Sequence, residues 1–297
     1  MQKFDFWINT TEYFDTLKIV SLFSKTFNKS QEYYMDILGT TDPYLFIEEN
    51  VETPGGVIDI LKFEVKFDNG NLRNFKYEFL SRDVDYITGN YPYRKFSSYS
   101  QTREKKLSLA SSNVWQVGWY LPTHKFGNSP SYHDITKHIL DNKHPVEDYI
   151  PYLLALSMYV KAKKENFDIF DANSIVIVPV PNFGLDDNTG AVSISKELRK
   201  IMIENGANVL DYENLLKKTL PKEAKKMSGN EKEEFYSKNK LYEFNKKYSG
   251  ISLLRDKKVI LVDDVVTHGY AAEQCLKEIS NQGADDLCFY SVATTKA

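Results

Sequence analysis

Two stretches of this chain, IVIVPVP at residues 175–181 and VILV at residues 259–262, are apolar at every position rather than at every second one. A strand with that pattern has no polar face to give to water, so it must be buried on both sides. Around them the spacing is helical: Ile194 to Ile203 reads as one helix, and Ala271 to Gln282, closed by Gly283, reads as another. Asn208 to Leu210 suits a short strand, and Leu287 to Ala293 a last buried one. Doubly buried strands joined by amphipathic helices specify an α/β fold, a parallel sheet with helices on both faces.

The front of the chain reads differently. TTEYFDTLKIVSLFSKTF has helical spacing, whereas Ile60 to Leu80 alternates. Leu61, Phe63, Val65 and Phe67 share one face, Asp68-Asn69-Gly70 makes a turn, and Phe75, Tyr77 and Phe79 share one face of a return strand. That is a β-hairpin, and the region is expected to be α+β. Between Tyr91 and Ser112 serines, tyrosines and basic residues replace apolar periodicity, which marks a linker. The expected division is therefore an N-terminal region over residues 1–112 and a second domain over residues 113–297. The second opens with a short strand, NVWQVGWYLP, then a helix from Ser131 through Lys143 with Ile135, Ile139 and Leu140 on one face. A further helix follows Pro145 and carries Tyr149, Leu153, Leu156, Met158 and Val160.

Composition excludes several classes. The 297 residues are 42% hydrophobic and 27% charged, an ordinary globular balance that rules out a disordered or fibrous chain. A formal charge of −3 supplies no global field for nucleic acid, so any charged partner must be met locally. Two cysteines, Cys275 and Cys288, cannot build a disulfide scaffold, and MQKFDFWINT lacks the regions of a signal peptide, so the expected compartment is the cytoplasm. Apolar stretches such as Tyr149 to Val160 fall short of the roughly 20 residues a membrane span needs.

The segment that carries chemistry is VILVDDVVTHGYA, residues 259–271. An apolar strand ends in Asp263 and Asp264, and Val265 and Val266 lead into Thr267, His268 and Gly269 at the start of a helix. Open α/β sheets bind ligands at the carboxyl ends of their strands. A Gly-containing turn that opens a helix offers backbone N–H groups and the positive end of the helix dipole, both of which favour phosphate. Carboxylates beside such a turn suit ribose hydroxyls, or a Mg²⁺ ion that bridges ligand oxygens. The combination describes a site for a phosphorylated sugar.

An apolar strand followed by Asp-Asp, two aliphatics, Thr, one further residue and Gly resembles the phosphoribosyl-diphosphate (PRPP) signature of type I phosphoribosyltransferases. The resemblance implies that Asp263 and Asp264 hold the ribose hydroxyls, with Mg²⁺ held through them and through ligand oxygens. It implies that the turn of Val266, Thr267, His268, Gly269, Tyr270 and Ala271 binds the 5′-phosphate. VPVPNFG at residues 178–184 is similar to the family's pyrophosphate loop, with Val180, Pro181 and Asn182 as its contacts. Within the superfamily, the helical lead-in before IVPVP and the basic stretch LLKKTLPKEAKKMSGNEKEEFYSKNKLYEF look like those of the ComF-type group. The likeness covers roughly residues 113–297 and leaves the first 110 or so unmatched.

The sequence departs from the family pattern in four places. His268 replaces a small or hydroxyl residue, Ala271 replaces a hydroxyl that reaches the phosphate, and Thr267 stands where purine-salvage members carry an acid. The Arg-Gly-Phe-Asn-Gln element of ComF-type proteins is reduced to Thr189-Gly190-Ala191-Val192-Ser193, and their N-terminal cysteine pairs are absent. From Lys217 to Lys247 there are ten lysines against five glutamates. In type I enzymes this position is that of a mobile loop closing over the diphosphate, with Lys217, Lys218, Lys222, Lys225 and Lys226 as candidates here.

The implied activity is a Mg²⁺-dependent glycosyltransferase, a phosphoribosyltransferase that releases pyrophosphate while moving ribose 5-phosphate to a base-like acceptor. The alternative is a module that senses PRPP or a nucleotide without turnover, or a ComF-like one that works in DNA uptake beside nucleic acid or a helicase-like partner. A homodimer follows from the resemblance alone. Outside the motif, His124, His133, His138 and His144 fit no zinc spacing. Cys275 and Cys288 fall in a helix and a strand and read as core thiols. Trp115 and Trp119 read as packing residues, although with Arg94, Lys95, Arg103, Lys105 and Lys106 nearby they would also suit a single-stranded nucleic-acid groove.

Overall fold

The computed structural model describes residues 4–5, 45–53, 56–67, 72–79, 114–122, 134–142, 150–164, 174–181, 190–212, 214–219, 227, 229–248, 253–267 and 269–295. Its centre is the parallel sheet that the apolar runs require. The strands are β5 (Val114–Tyr120), β6 (Ile175–Pro179), β7 (Val209–Leu210), β10 (Lys258–Val266) and β11 (Asp286–Thr295). They lie in the order β5-β11-β10-β6-β7, with each neighbouring pair parallel.

Each run feeds two cores because successive side chains point to opposite faces. Ile175, Ile177, Ile260, Val262 and Tyr290 join one buried cluster; Val176, Val178, Val259, Leu261 and Phe289 join the other. The first cluster is covered by α1 (Asp134–Asp141), α2 (Ile150–Lys164) and α3 (Gly190–Glu204). Residues 153–162 of α2 are buried without interruption, as expected of a helix apolar on every side. Its backbone is tied to the sheet by the Tyr290 hydroxyl, which donates to the Met158 carbonyl at 2.5 Å. The second cluster is covered by α5 (Tyr270–Ser280) and by residues of a small hairpin, β8 (Leu216–Lys218) and β9 (Tyr242–Phe244). Between the strands of that hairpin the chain forms α4 (Gly229–Lys238).

The expected elements hold with shifted ends. Helix α3 begins at Gly190, four residues before the expected Ile194. Asn142, at the end of α1, donates to the Gly190 carbonyl at 3.0 Å and accepts from the Ser193 hydroxyl at 2.9 Å. The reduced Gly190-Ala191-Val192-Ser193 element is thus the first turn of α3, plugged by Asn142. On α1, Ile135, His138 and Ile139 are buried, whereas Leu140 lies off their face and is 37% exposed.

Ahead of this sheet, β1 (Phe4–Asp5), β2 (Leu45–Thr53), β3 (Gly56–Phe67) and β4 (Leu72–Phe79) form a four-stranded antiparallel sheet. The β3–β4 pair is the expected hairpin, with Phe63 opposite Phe75 and Leu61 opposite Tyr77. Strand β2 was not legible because Glu48-Glu49-Asn50 interrupts its pattern where the register also shifts. Phe75 and Tyr77 belong to the α1–α2–α3 core. The Tyr77 hydroxyl is hydrogen-bonded to His138 Nδ1, and Phe75 meets the same imidazole edge-on at 4.5 Å between ring centres. His138 is therefore a joint between the two sheets. The expected N-terminal helix, the linker over residues 91–112 and the boundary at 112/113 lie outside the described residues.

Leu261 sits at the centre of the α5-side core with no exposure. Its replacement by Ala is expected to cost about 2–5 kcal/mol of unfolding free energy, measured by chemical denaturation. A loss well under that range would mean that this core collapses readily around the missing side chain.

Candidate functional site

Strand β10 is flanked unequally. Its pairing with β6 ends at Val262 opposite Pro179, but its pairing with β11 continues to Val266 opposite Thr294. The last link to the departing β6 segment is Val180 N–H donating to the Val262 carbonyl at 2.8 Å. From Asp263 onward no described strand lies beside that edge of β10. The two acids lie within the strand rather than beyond it, at the level where β6 leaves.

That position is a topological switch point. The connection after β6 runs through α3 to β7 on one side, and the connection after β10 runs through α5 to β11 on the other. Because such crossovers share one hand, opposite directions put α3 and α5 on opposite faces and leave a crevice between the ends of β6 and β10. The sheet order thus brings together two motifs some 80 residues apart in sequence: the Val180-Pro181 segment at the end of β6 and the Asp263-Asp264 pair. Asn182 and His268, the remaining members of the two motifs in question, lie outside the described residues.

The local hydrogen bonds show how the strand tolerates losing its neighbour. Val262 turns its carbonyl toward the chain leaving β6, and two residues on comes Asp264 N–H, at a level where no described strand remains on that side. That N–H donates to Asp263 Oδ1 at 2.9 Å, and Val265 N–H donates to Asp264 Oδ1 at 2.8 Å. Each acid satisfies the backbone of the next residue, and both side chains stay partly exposed. A carboxylate has about four lone-pair positions, so each retains capacity for a ligand hydroxyl or a cation.

Beyond the acids, Val266 is buried, Thr267 is exposed, and the Thr267 hydroxyl lies 2.8 Å from that of Thr295. Gly269 then takes φ 81°, a left-handed conformation that glycine adopts without strain, and caps α5 with no side-chain hydrogen bond. The first-turn N–H groups of α5 therefore have no side-chain cap there. Tyr270 is buried, and Ala271 packs its methyl against the α5-side core.

The basic stretch has more structure than a loop. Lys217 and Lys218 lie on β8: Lys217 is 3.6 Å from Glu243, and the Lys218 ammonium sits 5.7 Å from the centre of the Tyr242 ring. Lys222, Lys225 and Lys226 lie outside the described residues. The hairpin and α4 are clamped to α5 by one side chain. Gln274 Oε1 accepts from Leu241 N–H at 3.0 Å, and its Nε2 donates to the carbonyls of Tyr236 at 2.6 Å and Asn239 at 2.8 Å. Lys240 and Glu278 add an ion pair at 3.0 Å, and Tyr236 stacks on Tyr270 at 5.3 Å with 17° between the rings. Sequence reasoning missed this clamp, because a lone glutamine in an amphipathic helix carries no signal of its partners.

The clamp sets the electrostatics on the α5 side of Asp263. Burial, then the Asp263 charge, raises the Tyr236 hydroxyl above its ordinary range. Burial pushes up Tyr242 and, with Asp263 next in order, holds the Cys275 thiol well above its usual value. Cys288 is fully buried and likewise raised by burial. Both cysteines are inert core thiols, as their positions in a helix and a strand implied.

Among the described residues no group of three or more His, Cys, Asp or Glu side chains converges as a metal cage. Mg²⁺ commonly takes only one or two carboxylates and completes its shell with water and substrate phosphates. Asp263 and Asp264 are the residues that would hold it. No helix among the described residues is long and apolar enough to cross a membrane. No protein-family model matches the chain, and no curated protein sequence matches it.

Gln274→Ala removes three hydrogen bonds and is expected to cost about 1–3 kcal/mol. The loss should be local: amide hydrogen exchange at Leu241 and Asn239 should accelerate well beyond that of the β10 core. Unchanged protection at Leu241 would mean that α4 and β9 hold to α5 without the clamp.

Proposed function

We propose that the chain is a phosphoribosyltransferase of the type I kind, which moves ribose 5-phosphate from PRPP to a base-like acceptor and releases pyrophosphate. The observation that carries this reading is the meeting of the Asp263-Asp264 pair, the Gly269-capped start of α5 and the Val180-Pro181 segment at one switch point. Each part answers a different portion of PRPP.

Asp263 and Asp264 accept hydrogen bonds from the two ribose hydroxyls with lone pairs not engaged by the backbone. The N–H groups of the turn from Val266 to Ala271 face the 5′-phosphate, aided by the positive end of α5. The backbone after β6, through Val180, Pro181 and Asn182, receives the diphosphate, and the lysines of the β8 region lower the cost of its charge. Mg²⁺, when bound, would neutralise charge on the leaving diphosphate. Displacement at C1 by a ring nitrogen needs no enzyme nucleophile, so positioning and electrostatic stabilisation carry the catalysis.

Two features favour a second reading, a module that binds PRPP or a nucleotide without turnover. Ala271 gives its methyl to the core and has no hydroxyl to give to phosphate, while Lys217 and Lys218 are already engaged by Glu243 and Tyr242. Pyrophosphate release with candidate bases separates the two: release supports the enzyme, and binding without release supports the sensor.

The primary test is calorimetric titration with PRPP, with and without Mg²⁺, on the parent and on Asp264→Asn. Asparagine keeps an oxygen that can accept from Val265 N–H but loses the charge, so the melting temperature should stay nearly constant while PRPP affinity falls at least about tenfold. Equal affinity in both proteins would remove Asp264 from the site.

A further inference from the structure

The α5 face of the parallel sheet is apolar along most of its length, but at one level three polar side chains stand in a row. Asp263 on β10 is the register partner of Ser291 on β11, and Ser291 is the register partner of Gln116 on β5. Register partners lie side by side, with strands about 4.8 Å apart and side chains on the same face. Two residues earlier on their strands, Leu261 and Phe289 belong to the α5-side core, and Val117, next to Gln116, belongs to the opposite one. At Asp263 the row opens on the crevice; at the other end it runs into the interior, where Ser291 is 0% and Gln116 is 3% exposed.

Among the described residues neither the Ser291 hydroxyl nor either polar atom of the Gln116 carboxamide has a hydrogen-bond partner. Buried polar side-chain atoms are paired in the large majority of cases, and an unpaired one carries an uncompensated desolvation cost. Valine or leucine, which fill the neighbouring positions, would avoid that cost. A line of such groups that ends on a candidate ligand-binding acid has a direct explanation in the acid.

We infer that Ser291 and Gln116 are positioning residues for Asp263. When a ligand fixes the Asp263 carboxylate, the Ser291 hydroxyl turns to donate to it, and the Gln116 amide donates in turn to the Ser291 oxygen. The carboxylate keeps its bond from Asp264 N–H throughout. The row thereby orients the acid from behind, as outer-shell partners orient metal ligands. This inference rests on the reading of Asp263 as a sugar-holding acid.

The test measures melting temperature and PRPP affinity in the presence of Mg²⁺ for the parent, Ser291→Ala, Ser291→Thr and Gln116→Leu. Residues that merely support the fold lose stability when truncated; residues that carry a cost for the site do not. Ser291→Ala and Gln116→Leu should melt at or above the parent temperature yet bind PRPP about tenfold more weakly, with Ser291→Thr within about threefold of the parent. Parent-like affinity in both truncations overturns the row while leaving the sugar site intact. A parent protein that does not bind PRPP overturns the sugar-site reading instead. The row is then judged on melting alone: a lower temperature in both truncations overturns it, and an equal or higher one upholds the cost that defines it.

Discussion

The structure turns on the unequal flanking of β10. In a parallel sheet every central strand satisfies its backbone on both edges, and here one edge is withdrawn at Val262 while the other continues for four residues. Withdrawal of β6 creates the crevice, and it also creates the problem of unpaired backbone groups at the crevice wall. Asp263 and Asp264 each take the next N–H along the strand, those of Asp264 and Val265. Because the bonds are made within the strand, the wall keeps strand geometry up to Val266, and the turn into α5 starts from a fixed point.

Both faces of the sheet serve that fixed point. On one face α2 is buried through most of its length and α3 is locked at its first turn by Asn142, so the start of α3 is fixed against the end of α1. On the other, Gln274 directs three hydrogen bonds at the segment from Tyr236 to Leu241. That clamp places the ring of Tyr236 on Tyr270, the first residue of α5, and so couples the basic hairpin to the turn that opens the helix. Over its described part this insertion is fixed to α5 rather than free of it.

The parts of this arrangement that were legible in the sequence are those with a strong period or a short-range motif. The doubly apolar runs at residues 175–181 and 259–262 specify central parallel strands, and Asp263 through Gly269 specify a strand-to-helix turn, because each signal lies within a dozen residues. The shift of α3 to begin at Gly190 depends on Asn142, 48 residues away, and the docking of β4 depends on a Tyr77–His138 contact 61 residues apart. The basic stretch looked like a loop because charge density hides a three-residue β8 and β9 whose pairing needs α4 between them. Ser291 and Gln116 read as ordinary interior strand residues, since register across strands is invisible in any one of them.

The acids have a structural duty as well as a proposed chemical one, and the two duties are separable in principle. Capping the β10 edge asks for an acceptor oxygen at each position, which asparagine supplies as well as aspartate. A ribose diol and a divalent cation ask for negative charge in addition, and charge at the centre of a sheet is costly unless it is solvated or compensated. The partial exposure of both carboxylates supplies solvent on the crevice side, while the Asp263 side faces Tyr236, Tyr242 and Cys275, groups whose protonated forms its charge favours. A strand that needed only its edge closed would gain nothing from that charge. Two charges stand where two neutral amides would close the same backbone bonds, so closing those bonds does not by itself account for the charge.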